Sequence, residues 1–158
     1  INPRDLRVTN NVFYNTVAMN LSPTAAVNQF FQHIIAKSAA AISSSYVPSE
    51  ELYVILEGPR LSNRGYENIS KGWADFCDSG LSLLNIEWKE GAYEDVGSEM
   101  AWVGGVIDLT VLVKEKQFTQ TFRASFVLRQ YAGEWKIKHE HVSGALADPY
   151  GIGDWLKA

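Results

Sequence analysis

Two histidines one residue apart, in the stretch GEWKIKHEHVSG (residues 133–144), are the first residues of this sequence with chemistry to offer. Imidazole titrates near neutrality, so His139 or His141 could pass a proton. A His-x-His pair on a strand could also place two rings on one metal. The stretch reads as the far half of a hairpin. Side-chain alternation predicts Trp135, Ile137, His139 and His141 on its buried face, with Glu134, Lys136, Lys138 and Glu140 on the solvated one. On that register both rings enter the interior, either as site groups or as hydrogen-bonded parts of a mixed core. A metal would need a third ligand. None lies at an informative spacing, since His33 belongs to a helix, and neither a metal site nor a cofactor is expected.

Asp108, in VIDLT, stands between Ile107 and Leu109 in a strand that is apolar on both faces. Facing inward it would be a desolvated carboxyl suited to proton transfer; facing outward it would be an ordinary solvated one. Asp108 and His141 are therefore the catalytic candidates, with Glu57, at the end of YVILEG, behind them. Arg123 alternates with Phe122, Ala124 and Phe126 and so shares a face with Ser125 and Arg129, which is solvent, a dimer surface or a pocket edge. Tyr53, Trp73, Phe76 and Trp102 could wall an apolar cavity or be plain core. The expected ligand-binding set is Tyr53, Trp73, Phe76, Trp102, Arg123, His139 and His141.

These residues need elements to hold them. Ser22 caps a helix with Pro23 at its first position, and Val27, Phe30, Phe31, Ile34 and Ile35 follow at helical spacing. A second short helix ends before Pro48. ELYVILEGP is a strand closed by Gly58-Pro59, and RGYENISKGWADFCDSG is a third helix with Ile69, Trp73, Phe76 and Cys77 on one face. From Leu81 onward the pattern is all strand. Gly104-Gly105 predicts a bulge and a sharp bend. Helices first and long antiparallel strands after predict an α+β class, with helices on one face of a curved sheet. Residues 1–21, polar and Asn-rich, read as an N-terminal arm, and residues 22–158 as a single domain with Trp155 and Leu156 packing back on the body.

The bulk numbers exclude more than they assign. A 158-residue chain with 46% hydrophobic and 20% charged residues builds one proper core and is not broadly disordered. A net charge of −4 without a Lys/Arg cluster argues against nucleic acid, and no apolar run is long enough to span a membrane. The single Cys77 cannot form an internal disulfide. Nothing visible resembles a secretory signal, and a cytoplasmic location is the expectation.

The element order, with MAWVGG, then FRAS, then GEWKIKHEHVSG, resembles the SnoaL-like domains of the NTF2-like (cystatin-like fold) superfamily. Those domains carry an Ala-Trp pair, an Arg-x-Thr on the next strand and a Gly-x-Trp-x-Ile-x-His-x-His-x-Ser ending. Here these fall on Ala101-Trp102, on Arg123 with Ser125 in place of Thr, and on Gly133 through Ser143. The ending HEHVSGA is also similar to the association domain of calcium/calmodulin-dependent protein kinase II. That domain's pocket arginines would align near Phe126 and Val142, both apolar here. The resemblance implies an NTF2-like cone, in which three N-terminal helices pack on a strongly curved, mostly antiparallel sheet. Ketosteroid isomerases of the superfamily use a strand aspartate as base, the position Asp108 would take, but their oxyanion donors find no residue-by-residue match.

Two functions follow as expectations. In the first, the cone binds a small apolar molecule in a cavity bordered by Trp73, Trp102 and His141, with isomerase- or cyclase-like proton transfer. In the second, it is a non-enzymatic association domain. A homodimer through the outer sheet face is expected in either case, because the strand pair around residues 107–128 carries more apolar side chains than a solvated sheet needs.

Overall fold

The computed structural model describes residues 21–155; the arm expected at residues 1–21 lies outside them but for Leu21. Helix α1 (Pro23–Ile35) starts where capping chemistry dictates: the Ser22 hydroxyl accepts from the Ala25 N–H at 3.1 Å, and Pro23 fills a position that needs no donor. Its apolar stripe, Val27, Phe30, Phe31 and Ile34, is buried against the sheet. A short α2 (Ala39–Ser44) buries Ile42. Helix α3 (Tyr66–Asp78) buries Ile69 and turns Trp73, Phe76 and Cys77, all half-buried, toward the same core.

The strands are β1 (Tyr53–Ile55), β2 (Asn63–Arg64), β3 (Ser82–Trp88), β4 (Tyr93–Val96), β5 (Met100–Val113), β6 (Lys116–Tyr131) and β7 (Glu134–Ser143). They form one curled, unclosed sheet in the order β2-β1-β7-β6-β5-β3, with β4 also on β5. Every pairing is antiparallel except β1 with β7. This is the expected α+β cone. The inner face carries the core, with Val103, Ile107, Leu109, Phe126 and Leu128 each under a tenth exposed.

Two local features depart from expectation. Gly104 and Gly105 make no bulge in the β5–β6 ladder, whose register runs unbroken from Met100 to Val113. Their missing side chains make room for rings instead. A Cβ on Gly104 would lie 2.6 Å from the Trp102 ring, and one on Gly105 would lie 3.1 Å from the Trp88 ring. One register shift lies on β3, between Leu83 and Asn85, and the one that bears on the site sits on β7. Val127 faces His139 and Leu128 faces Ile137, so Lys138 is an extra residue without a partner on β6. At this bulge the neighbour on the other edge of β7 also changes. Ser45 and Val47 bond to Ile137 on one side of it, and β1 pairs with His139 to His141 on the other. At the C-terminal end, Trp155 is 64% exposed and does not pack back on the body; Leu156 lies outside the described residues.

Candidate functional site

The bulge at Lys138 decides which side chains of β7 reach the interior. Before it, Trp135 and Ile137 face inward as alternation predicts, Ile137 at 1% exposure. After it the phase reverses, and Glu140 and Val142 take the inner face. His139 and His141 are thereby turned outward, which corrects the expectation that both rings line the interior. Across the outer face, Trp102, Val127, His139 and Tyr53 stand in one row over β5, β6, β7 and β1. His139 stacks on the Tyr53 ring at 5.6 Å, and its Nδ1 lies 2.8 Å from the Tyr53 carbonyl. His141 stands in the next row beside Ser125.

The corresponding inner row is Val103, Phe126, Glu140 and Val54. Glu140 is 2% exposed, the one buried residue of ionisable type among the described residues besides Tyr46. Its carboxylate accepts a hydrogen bond from the hydroxyl of Tyr46, itself fully buried just beyond α2. The indole Nε1 of Trp73 on α3 donates to the same Tyr46 oxygen at 2.9 Å. A chain of three side chains thus links α3 through the α2 end to the centre of the sheet. Phe30 braces it, edge-on to Tyr46 at 5.4 Å and to Trp73 at 5.9 Å.

Burial sets the electrostatics. Loss of water drives the Glu140 carboxyl up to about 8; the Tyr46 hydrogen bond opposes this and the negative field of Glu57 adds to it. Glu57, at the end of the β1 segment, is also raised by burial. Tyr46 stands well above the ordinary phenol range, chiefly because it is buried and next because Glu140 lies against it. At pH 7 Glu140 is therefore a neutral acid, and the Tyr46 hydroxyl stays protonated.

The space around this chain has two parts. A hollow of about 50 Å³ lies between α1, α3 and the sheet, with Glu57 and Glu140 among walls that include Phe30, Trp73, Ile107 and Phe126. A wider groove of about 590 Å³ runs between α3 and the chain following β1. Leu56, Glu57, Trp73 and Leu83 line both, so one opens toward the other. A separate hollow of about 400 Å³ lies near His33, Trp135 and Ile137, on the other side of α1.

The structure thus brings together Trp73 and Phe76, the latter in the groove, with Glu57. It does not bring the other candidates to them. Asp108 alternates with buried Ile107 and Leu109, faces outward and accepts from Thr121 Oγ1 at 2.5 Å. Arg123 faces outward as alternation predicts, with its Nε donating to Ser143 Oγ at 3.0 Å. Trp102 is 43% exposed and Tyr53 41% exposed on that same face. Sequence reasoning missed Tyr46 and Glu140 altogether. Tyr46 follows a serine run after a short helix, a context that carries no periodic signal. For Glu140 the only usable signal was the two-sided reading of β7, which a bulge inverts.

Among the described residues, no three His, Cys, Asp or Glu side chains cluster as a metal site would require, and no helix is long and apolar enough to cross a membrane. Solved structures share the fold at low identity. An NTF2-like superfamily protein from Salmonella enterica serovar Typhimurium is 20% identical with a TM-score of 0.68, over 88% of this chain and 99% of that one. A Xanthomonas campestris protein named for a calcium/calmodulin-dependent protein kinase II association domain is 16% identical with a TM-score of 0.63, over 77% of this chain and 84% of that one. A Streptomyces avermitilis protein of the NTF2-like family, named as a dehydratase, is 19% identical with a TM-score of 0.59, over 77% and 92%. A search among curated proteins gives no match. The model of the SnoaL-like domain matches residues 24–148, and with that match covering most of the chain and every element from α1 to β7, the chain belongs to the SnoaL-like domain family.

Proposed function

We propose that the cone binds a small, mostly apolar molecule between α1, α3 and the sheet, and that Glu140 exchanges a proton with it. One observation carries this reading: Glu140 is a fully buried carboxyl that lines a hollow with otherwise mostly apolar walls. Burying such a group costs several kcal/mol even with a partner, and packing alone would favour an apolar residue there. Neutral at pH 7, Glu140 is a proton donor; Glu57, which lines both the hollow and the groove, is a second carboxyl beside it, also raised by burial. A buried acid beside a second carboxyl is an arrangement that acid–base catalysis of an isomerase- or cyclase-like kind uses. Tyr46 and Trp73 position Glu140, and Trp73 and Phe76 wall the path to it.

The test uses a neutral aromatic probe, 2-naphthol, titrated against tryptophan fluorescence. Leu83 stands where groove and hollow meet. Binding to the wild type with loss in Leu83→Trp is the expected outcome. Equal binding by both proteins would contradict the cavity reading.

A second reading, self-association, has its own observation. The outer sheet face exposes Trp102 and Val106 beside Val127 and the Tyr53–His139 stack, an apolar strip with polar neighbours in Arg123 and Asp108. Burying such a strip against a second copy is the ordinary remedy. The two readings are compatible, because they use opposite faces of one sheet.

A further inference from the structure

We propose that the molecule bound in this cone is a cationic amine: its ammonium head sits in the inner hollow against Glu140 and Glu57, and its apolar chain runs out along the groove beneath α3. This rests on the small-molecule reading of the cavity and names the class of molecule it takes.

Charge is the first ground. The ionisable side chains lining the hollow are two carboxyls, Glu57 and Glu140, with no Lys, Arg or His among its walls. The groove is balanced by contrast, with Arg60 and Lys71 against Glu57 and Asp75, and Lys71 is already paired with Asp75 at 2.7 Å. A cation therefore gains most by moving past the groove into the hollow. An anion finds no positive charge there, and a neutral polar head gains nothing from the charge of the carboxyls.

The walls supply the second ground. Phe30, Phe31, Trp73 and Phe126 all line the hollow, with Phe30 set edge-on to Trp73 and to Phe126. Aromatic rings attract cations through the negative charge over their faces, most strongly where water is excluded. Packed aromatics with two carboxyls are the usual surroundings of a bound ammonium. Carboxyls alone would be an acidic cluster, and rings alone would be core.

Size is the third ground. At about 50 Å³ the hollow is small beside the groove and gives room for a head group rather than a whole ligand. The body of the ligand has to lie in the groove of about 590 Å³, which shares Trp73 and Leu83 with the hollow.

The proton balance follows. Before an amine binds, Glu140 keeps its proton, because burial disfavours its ionised form and the titratable groups facing it, Tyr46 and Glu57, offer no positive charge. When an ammonium enters, its N–H bonds donate to the Glu140 carboxylate, and the displaced proton leaves for solvent. Binding near neutral pH therefore releases a proton.

The experiment is calorimetric titration of the whole chain at pH 7 with hexylamine, hexanol and hexanoate, in two buffers of different ionisation enthalpy. Hexylamine is expected to bind about tenfold or more tighter than hexanol, with proton release, and hexanoate not to bind. Glu140→Gln should remove the preference for the amine, bringing hexylamine binding down to the level of hexanol. Should that variant not fold, Glu57→Gln is expected to reduce the preference in the same sense. Hexanol binding as tightly as hexylamine overturns the amine assignment and leaves the small-molecule reading standing. If 2-naphthol and all three hexyl probes fail to bind, both fall together.

Discussion

Tyr46 and Glu140, 94 residues apart in sequence, meet at the centre of the fold, the phenol donating to the carboxyl. Neither group has a role in packing that an apolar residue could not fill. Together they make a buried acid whose protonation is tied to Trp73 on one side and to Glu57 on the other.

The first consequence is a pH-dependent stability. Glu140 holds its proton to about pH 8 when folded, against about 4.5 when unfolded. In the window between, the folded chain binds a proton that the unfolded chain has released. Stability is therefore full below about 4.5, falls through the window and levels off above about 8, with a loss on the order of a few kcal/mol. Glu57, raised by burial, adds in the same direction at the acid end. Urea midpoints measured across this range should fall with pH for the wild type and stay nearly flat for Glu140→Gln.

Tyr46→Phe removes the one donor to Glu140 named by the structure and leaves the Trp73 indole N–H without its acceptor. A loss of about 1–3 kcal/mol is expected at pH 6 from urea denaturation. The Tyr46 bond favours the ionised carboxyl, so its loss should also move the fall in stability to higher pH. An unchanged pH profile would mean that the two groups are not coupled.

The bulge makes its own claim. Lys138 is the extra residue, and its side chain reaches only Ser49 at 3.3 Å and Glu51 at 3.9 Å. Lys138→Ala should cost no more than about 1 kcal/mol. Deleting Lys138 should regularise the ladder, keeping Val127 opposite His139 and Leu128 opposite Ile137, so that Glu140 stays on the inner face, both histidines stay outside and the fold is retained. Thermal melts of the two variants check this, and a deletion variant that does not fold would contradict the bulge assignment.

On the outer face, a homodimer through Trp102, Val127 and the Tyr53–His139 stack predicts a sedimenting species of about twice 17.6 kDa at micromolar concentration. Trp102→Arg should yield the monomer with an unchanged far-ultraviolet spectrum. A wild type that sediments as a strict monomer would remove this surface from the account.

Much of the fold was legible because it depends on local chemistry. Ser22-Pro23 starts α1 by capping, and the spacing of Val27, Phe30, Phe31 and Ile34 fixes its buried face. The long strands announce themselves by length and alternation, and the Trp-x-Ile-x-His ending by its family pattern. The site was legible only in part, because facing is a sum over register. A single inserted residue, Lys138, inverts every side chain after it, and no local preference marks a lysine as a bulge. Asp108 failed for a related reason: a strand apolar on both faces gives no phase, and only the packing of Ile107 and Leu109 under α1 sends it outward. Tyr46 owes its place to a tertiary bridge with Ile137, which no spacing within residues 39–48 could announce.

The central claim is that Glu140 is a neutral acid buried within the cone. Carbon-13 NMR of glutamate side-chain carboxyls, with the resonance assigned by its loss in Glu140→Gln, tests it directly. The account predicts one carboxyl titrating at about 8. A Glu140 resonance titrating near the ordinary value of about 4.5 would contradict it.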